Sequence, residues 1–299
     1  NPTAQVDQPL DQVVCNGEDV DVLFTTENIF GSTSYSWTFD TEIGAGLLGN
    51  GDMNFIAINS STAPVEATIT VTPTFEFDDV VCDGEDKTFT ITVNPTAQVD
   101  QPLDQVVYNQ GTTTPVLFTT QNIGGTTTYT WTNNTPSIGL FGSGSGDILA
   151  FTATNTISTP VVATITVTPT FENGGIVCEG EDETFTITVN PTAQVDDITN
   201  RVVCNLDEVS VLFSTQNTSG TSIYSWTSDT EIGAGLSGTG DMNFTAINSS
   251  TAPIVATINV TPTFTSGGIT NIGDVISFTI TVNPTAQVDQ PLDQVVCNL

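Results

Sequence analysis

The chain has 299 residues, of which 34 are aspartate or glutamate, only Lys87 and Arg201 are basic and none is histidine, leaving a formal net charge of −32. That balance excludes the counterion-releasing phosphate contacts of nucleic-acid binding and opposes docking on anionic lipid. Charged residues are still only 12% of the chain, too few for a disordered acidic tail, and no apolar run approaches the ~20 residues that span a bilayer, so direct membrane insertion is not expected.

The string NPTAQVD begins at Asn1, Asn94, Asn190 and Asn283, spacings of 93, 96 and 93 residues. A unit of that size buries a core of its own, unlike a solenoid repeat that depends on its neighbours. The expected domains are residues 1–93, 94–189 and 190–282, with 283–299 opening a fourth. Because the pattern opens and closes mid-repeat, the chain is expected to be a piece of a longer array.

In chain order, each unit opens with short β signals at residues 4–6 and 12–14 of the first repeat, then at 22–24 and 34–38. A Gly-rich stretch and a further strand around 54–57 follow. Residues 67–72 (ATITVT) and 88–93 (TFTITV) then alternate apolar residues with Thr, the period of a half-solvated strand whose stiff β-branched side chains suit the pleat. Pro73, Pro169 and Pro262 are expected to end the ladder or mark an edge, since Pro donates no hydrogen bond. About seven short strands per unit and no 3.6-residue period predict an all-β protein, a tandem array of immunoglobulin-like sandwiches. Trp37, Trp131 and Trp226 each follow a Tyr by two residues, so both rings face one way, and the Trp is expected at the centre of the core. With two basic residues, burial and strand pairing rather than ion pairs must hold the fold.

Five cysteines fall at two places in the repeat. The early place holds Cys15, Tyr108, Cys204 and Cys297, and the late place Cys82, Cys178 and Asn271. Pairing within a repeat joins Cys15 to Cys82 and leaves Cys178 and Cys204 over. Pairing between neighbours joins Cys178 to Cys204 and leaves Cys82. The residues do not choose between them, and zinc is disfavoured by the lack of His and of any C-x-x-C.

Three loops share an acidic spelling, with Glu18 and Asp19, then Asp83, Glu85 and Asp86, then Glu179, Glu181 and Asp182. Carboxylates around a Gly turn are candidate calcium ligands. The spacing is not that of an EF-hand loop, and the third repeat loses most of these acids, so a solvated turn is the preferred reading. No other cofactor is expected. The Gly-rich runs ending at Asp52, Asp147 and Asp241 lack the Lys and helix of a phosphate loop and read as tight turns. Nothing supplies a general base or nucleophile, and the chain is not expected to be an enzyme.

The Y-x-W of each repeat, the Gly-rich run leading to Asp52 and Phe55, the ATITVTPTF strand and the closing FTITVNP together resemble PKD-like domains. More narrowly, they resemble the tandem repeats of giant Bacteroidetes surface adhesins, including flavobacterial gliding-motility adhesins. The resemblance covers the whole chain, three times over. It implies cell-surface display, export by type IX secretion, contact with secretion and motility machinery, and a substratum or host ligand bound through another region. It carries no catalytic residue, and Tyr108 and Asn271 depart from it where Cys would be expected. Pro95, Pro191 and Pro284 fix φ where one repeat runs into the next, with no Gly/Ser linker between. The expected role is therefore a semi-rigid stalk whose immediate partners are its own neighbouring repeats. The alternative is a set of repeats that themselves bind glycans or calcium.

Overall fold

The computed structural model describes residues 2–296. The first repeat holds β1 (Gln12–Cys15), β2 (Asp19–Val22), β3 (Ser32–Phe39), β4 (Leu48–Asn50), β5 (Met53–Ile56), β6 (Val65–Phe77), β7 (Val80–Asp83) and β8 (Lys87–Asn94). The second holds β9 (Gln105–Tyr108), β10 (Thr126–Asn133), β11 (Ser143–Ser145), β12 (Val161–Asn173), β13 (Ile176–Glu179) and β14 (Glu183–Asn190). The third holds β15 (Arg201–Cys204), β16 (Glu208–Val211), β17 (Thr221–Ser228), β18 (Ser237–Thr239), β19 (Met242–Thr245), β20 (Ile254–Ser266), β21 (Ile269–Ile272) and β22 (Ile276–Asn283).

In the first repeat the large sheet runs β1-β8-β6-β3-β4, with β7 also pairing β6, and it recurs in the other two. A small second layer faces it: β2 with β5, β16 with β19, and in the second repeat the bridges Thr112–Thr152 and Val116–Ile148. Between the layers lie three separate apolar cores, spanning Val6 to Val93, Val99 to Val189 and Val195 to Val282. Burial follows the alternation in sequence: Ala67, Ile69 and Val71 point inward while the intervening Thr side chains stay partly exposed. The molecule is thus an all-β chain of tandem immunoglobulin-like sandwiches.

Two sequence expectations are corrected. The prolines mark where the ladder to the last strand stops but do not end the strand, because β6, 13 residues long, continues through Pro73. Its first half pairs β8 as far as Val71–Lys87, and its second half pairs β7 from Thr74–Asp83. The Pro73 carbonyl accepts from the Gly84 N–H at 2.9 Å, so its nitrogen faces the gap between those two partners, where no donor is needed. The opening residues 4–6 form no strand; Ala4 and Val6 are buried, and the segment is tethered by Asn28, which accepts from the Gln5 N–H and donates to the Thr3 carbonyl.

The second half of each long strand turns back through a two-residue hairpin with both central residues at positive φ: Asp78–Asp79, Gly174–Gly175 and Gly267–Gly268. That is the backbone a tight antiparallel turn demands. These hairpins reach out of their own sandwich, and they make the junctions.

Candidate functional site at the junctions between repeats

The first junction is held along three lines. At the linker, Asn94 and Pro95 are buried; the Asn94 Nδ2 donates to the Asn173 carbonyl at 3.0 Å, and the Asn173 Nδ2 donates back to Asn94 Oδ1 at 2.9 Å. At the hairpin, β13 lies against β1, and a Cβ on Gly174 would come within 2.9 Å of a Val13 methyl. On another side the Ile123 N–H donates to the Thr62 carbonyl at 2.9 Å, and Asn16 Nδ2 donates to Thr96 Oγ1 at 2.9 Å. The hairpin line is also covalent. Cys15 on β1 is bonded to Cys178 on β13, with Cα atoms 5.6 Å apart and a sequence separation of 163.

The second junction repeats this arrangement. Asn190 Nδ2 donates to the Ser266 carbonyl at 2.8 Å, Gly267 lies against Val106, the Thr218 N–H donates to the Ser158 carbonyl, and Asn109 Nδ2 donates to Thr192 Oγ1. Strand β21 meets β9 as β13 meets β1. The disulfide is missing, since its two places hold Tyr108 and Asn271. Asn271 instead grips its own repeat's opening segment, donating to the Pro191 carbonyl at 2.7 Å and accepting from the Ala193 N–H at 2.8 Å.

Neither disulfide weighed from sequence is the one formed. The bond joins the early place of one repeat to the late place of the next, while Cys82 and Cys204 are free. Sequence reasoning missed it because the hairpin's reach across the junction leaves no mark in composition; only the Gly–Gly turn signals a hairpin there. Cys297 lies outside the described residues. Of the junction prolines, Pro95 and Pro191 are buried and Pro284 is partly covered.

The acidic loops do not converge. Glu18, Asp19, Asp83, Glu85, Asp86, Glu179, Glu181 and Asp182 are all exposed, and among the described residues no three His, Cys, Asp or Glu side chains come together as a metal site. Several instead accept local hydrogen bonds. Glu18 Oε2 accepts from the Cys15 N–H at 2.9 Å, and Asp83 and Asp86 accept from the Thr74 and Thr72 hydroxyls. The glycine inside the late loop has a packing role. A Cβ on Gly84, Gly180 or Gly273 would fall 2.0, 1.9 or 1.8 Å from the carbonyl oxygen of Ala4, Ala97 or Ala193 respectively. The third repeat keeps this glycine while, of the acids around it, only Asp274 remains, which ties the glycine to the passage of the opening segment.

Trp37, Trp131 and Trp226 lie in the three cores, each with its ring over a glycine of the Gly-rich run: Gly49, Gly144 and Gly238. Trp37 and Trp131 donate their indole N–H to the carbonyls of Gly51 and Gly146. Asp52, Asp147 and Asp241 accept from the backbone N–H of Phe24, Phe118 and Phe213 at 2.9, 2.9 and 2.8 Å. Each fastens the end of that run to the small layer.

No protein-family model matches the chain, and no curated protein matches it. Among solved structures it is similar to three N-terminal domains of the bacteriophage RB49 highly immunogenic outer capsid protein, at 14% identity over 95% of this chain and 99% of that one, TM-score 0.41. It is also similar to Drosophila N-cadherin EC1-4, at 13% identity over 95% of this chain and 76% of that one, TM-score 0.39. A third is Sidekick-1 immunoglobulin domains 1-4, at 10% identity over 95% and 76%, TM-score 0.34.

Proposed function

We propose that the chain is a load-bearing stalk, projecting an adhesive region from a cell surface and transmitting force along its repeats. In the setting implied by the sequence resemblance, that is the stalk of a gliding-motility adhesin exported by type IX secretion. One observation carries the reading. In every repeat the first strand of the large sheet pairs parallel to the last: β1 with β8, β9 with β14 and β15 with β22. Tension on the two ends of a repeat therefore loads these pairs in shear. Their hydrogen bonds must give way together rather than one at a time, which makes the geometry resistant to pulling. The direct run of each last strand through Asn–Pro into the next repeat, without slack, passes that tension on.

Pulling a single molecule by its ends tests this. In reducing buffer the stalk reading expects three separated unfolding events of similar high force, each releasing about one repeat. In oxidising buffer the disulfide carries the load past its enclosed span of 163 residues, so the final extension falls short by about 550 Å at ~3.4 Å per residue. Gradual extension without discrete high-force events would overturn the load-bearing reading.

A further inference from the structure

Both junctions obey one register rule, in which the early place of a repeat meets the late place of the next, but they are not equally fastened. On the hairpin line the first junction has the Cys15–Cys178 bond, with Cys178 only 2% exposed. In the second junction Tyr108 stands at the place of Cys15 and is 44% exposed, while Asn271 spends its amide on Pro191 and Ala193 of its own repeat. Between Val106 and Tyr108 of the second repeat and Ile269 of the third lies an open crevice of about 390 Å³. Among the described residues no hydrogen bond crosses it.

The linker line is weaker in the second junction too. Asn94 and Asn173 exchange two hydrogen bonds across the first, whereas Asn190 keeps one, to the Ser266 carbonyl, and its Oδ1 is buried with no partner. The loop line is kept. The Thr218 N–H donates to the Ser158 carbonyl at 3.1 Å as the Ile123 N–H does to Thr62, and Asn109 donates to Thr192 as Asn16 does to Thr96. A junction loosened along its hairpin and held along its loops has a pivot.

We propose that the second junction is a joint and the first a redox-locked copy of it. The third repeat swings about the Ser158–Thr218 contact and the Asn190–Pro191 linker by parting β21 from β9. Opening brings water to the Asn190 Oδ1, which offsets part of the packing given up where Gly267 meets Val106. In the first junction the disulfide blocks the same movement, and its reduction frees it. A dithiol such as dithiothreitol supplies the two electrons. One of its thiolates attacks the sulfur of Cys15, the partly exposed member of the pair, and Cys178 leaves as a thiolate and takes a proton. The second thiol of the reagent then displaces Cys15 as the reagent closes its own disulfide, so one disulfide is broken in the protein and one is formed in the reagent. The inference does not depend on the array bearing load.

The test is nuclear magnetic resonance on the full chain carrying Cys82→Ser, Cys204→Ser and Cys297→Ser, which leaves Cys15–Cys178 as its one redox centre. Residual dipolar couplings in a weakly aligning medium report how each repeat is oriented. In oxidising buffer the first and second repeats are expected to share one alignment tensor and the third to show a separate one of smaller magnitude. Dithiothreitol is expected to split the first repeat from the second. One tensor for all three repeats in oxidising buffer, or separate tensors for the first two, would overturn the proposal. So would a first pair that stays unsplit once mass spectrometry shows the disulfide reduced. Adding Tyr108→Cys with Asn271→Cys should bring the third repeat into the common tensor, and a mapped disulfide there with the third repeat still separate would also overturn it.

Discussion

At the scale of single residues, the repeats are held by side chains that satisfy backbone groups and by glycines that admit close neighbours. Gly144 meets the Trp131 ring at a distance where a methyl group would sit 2.2 Å from a ring carbon. Gly144→Ala is therefore expected to destabilise the second repeat by about 1–3 kcal/mol, the usual range for overpacking, read as a lowered denaturation midpoint. Asn190 supplies a second case. Its Oδ1 is buried without a partner, because Ser266 stands where Asn173 donates to Asn94 in the first junction. Ser266→Asn should supply that donor and stabilise the third repeat against its neighbour by about 1 kcal/mol; an unchanged or lowered stability would mean the junctions are not equivalent there.

Acid sensitivity belongs to this scale too. Hydrogen bonds from the backbone of Thr68 and of Thr257 hold the carboxyls of Asp40 and Asp229 below the usual 3.8, and the hydroxyl of Thr119 does the same, with Gln121, for Asp100. Lowered folded-state values mean stability that is present above pH ~4 and lost as pH falls through the folded pKa. Stability should be flat in this respect near neutrality and decline below pH 4, and Asp40→Asn should flatten part of that decline. These roles were only partly legible in sequence. The Trp and its Tyr neighbour were readable as core from their spacing, whereas Asp52 and Gly84 showed as turn residues without showing what they fasten.

At the scale of elements, strand alternation was readable because every second residue of β6 and β8 is apolar. The course of β6 through Pro73 was not, because whether a proline breaks a ladder depends on which partner lies on its nitrogen side. The docking of each hairpin on the preceding repeat was hidden for a similar reason, being a contact between residues about 160 positions apart in sequence. The register rule can be tested within the chain itself. Tyr108→Cys combined with Asn271→Cys is expected to form a disulfide across the second junction, found by peptide mapping, despite the loss of the Asn271 hydrogen bonds. Both substituted thiols remaining free under conditions that keep Cys15–Cys178 oxidised would show that β9–β21 does not repeat the geometry of β1–β13.

At the scale of the whole molecule, the proposed stalk takes its stiffness from its junctions. The Asn–Pro linkers, the hairpins and the loop-to-loop hydrogen bonds all act at each junction, and self-repulsion among 34 acids adds little beyond ~8 Å at physiological salt. Pro191 is buried in the second junction, which has no disulfide. Pro191→Gly should therefore widen the distribution of angles between the second and third repeats in electron micrographs, and an equally narrow distribution would count against the proline's part.

The most direct test of the central claim is small-angle scattering from the full chain in millimolar calcium and then in excess chelator at constant salt. With roughly 30–40 Å per repeat, set by strands of about ten residues, the maximum dimension should stay near 100 Å in both. The result predicted is no change on chelation, since the junctions are made of protein contacts and the exposed carboxylates of the acidic loops do not converge. Shortening or heterogeneity on chelation would contradict the account and place the stiffness in bound calcium.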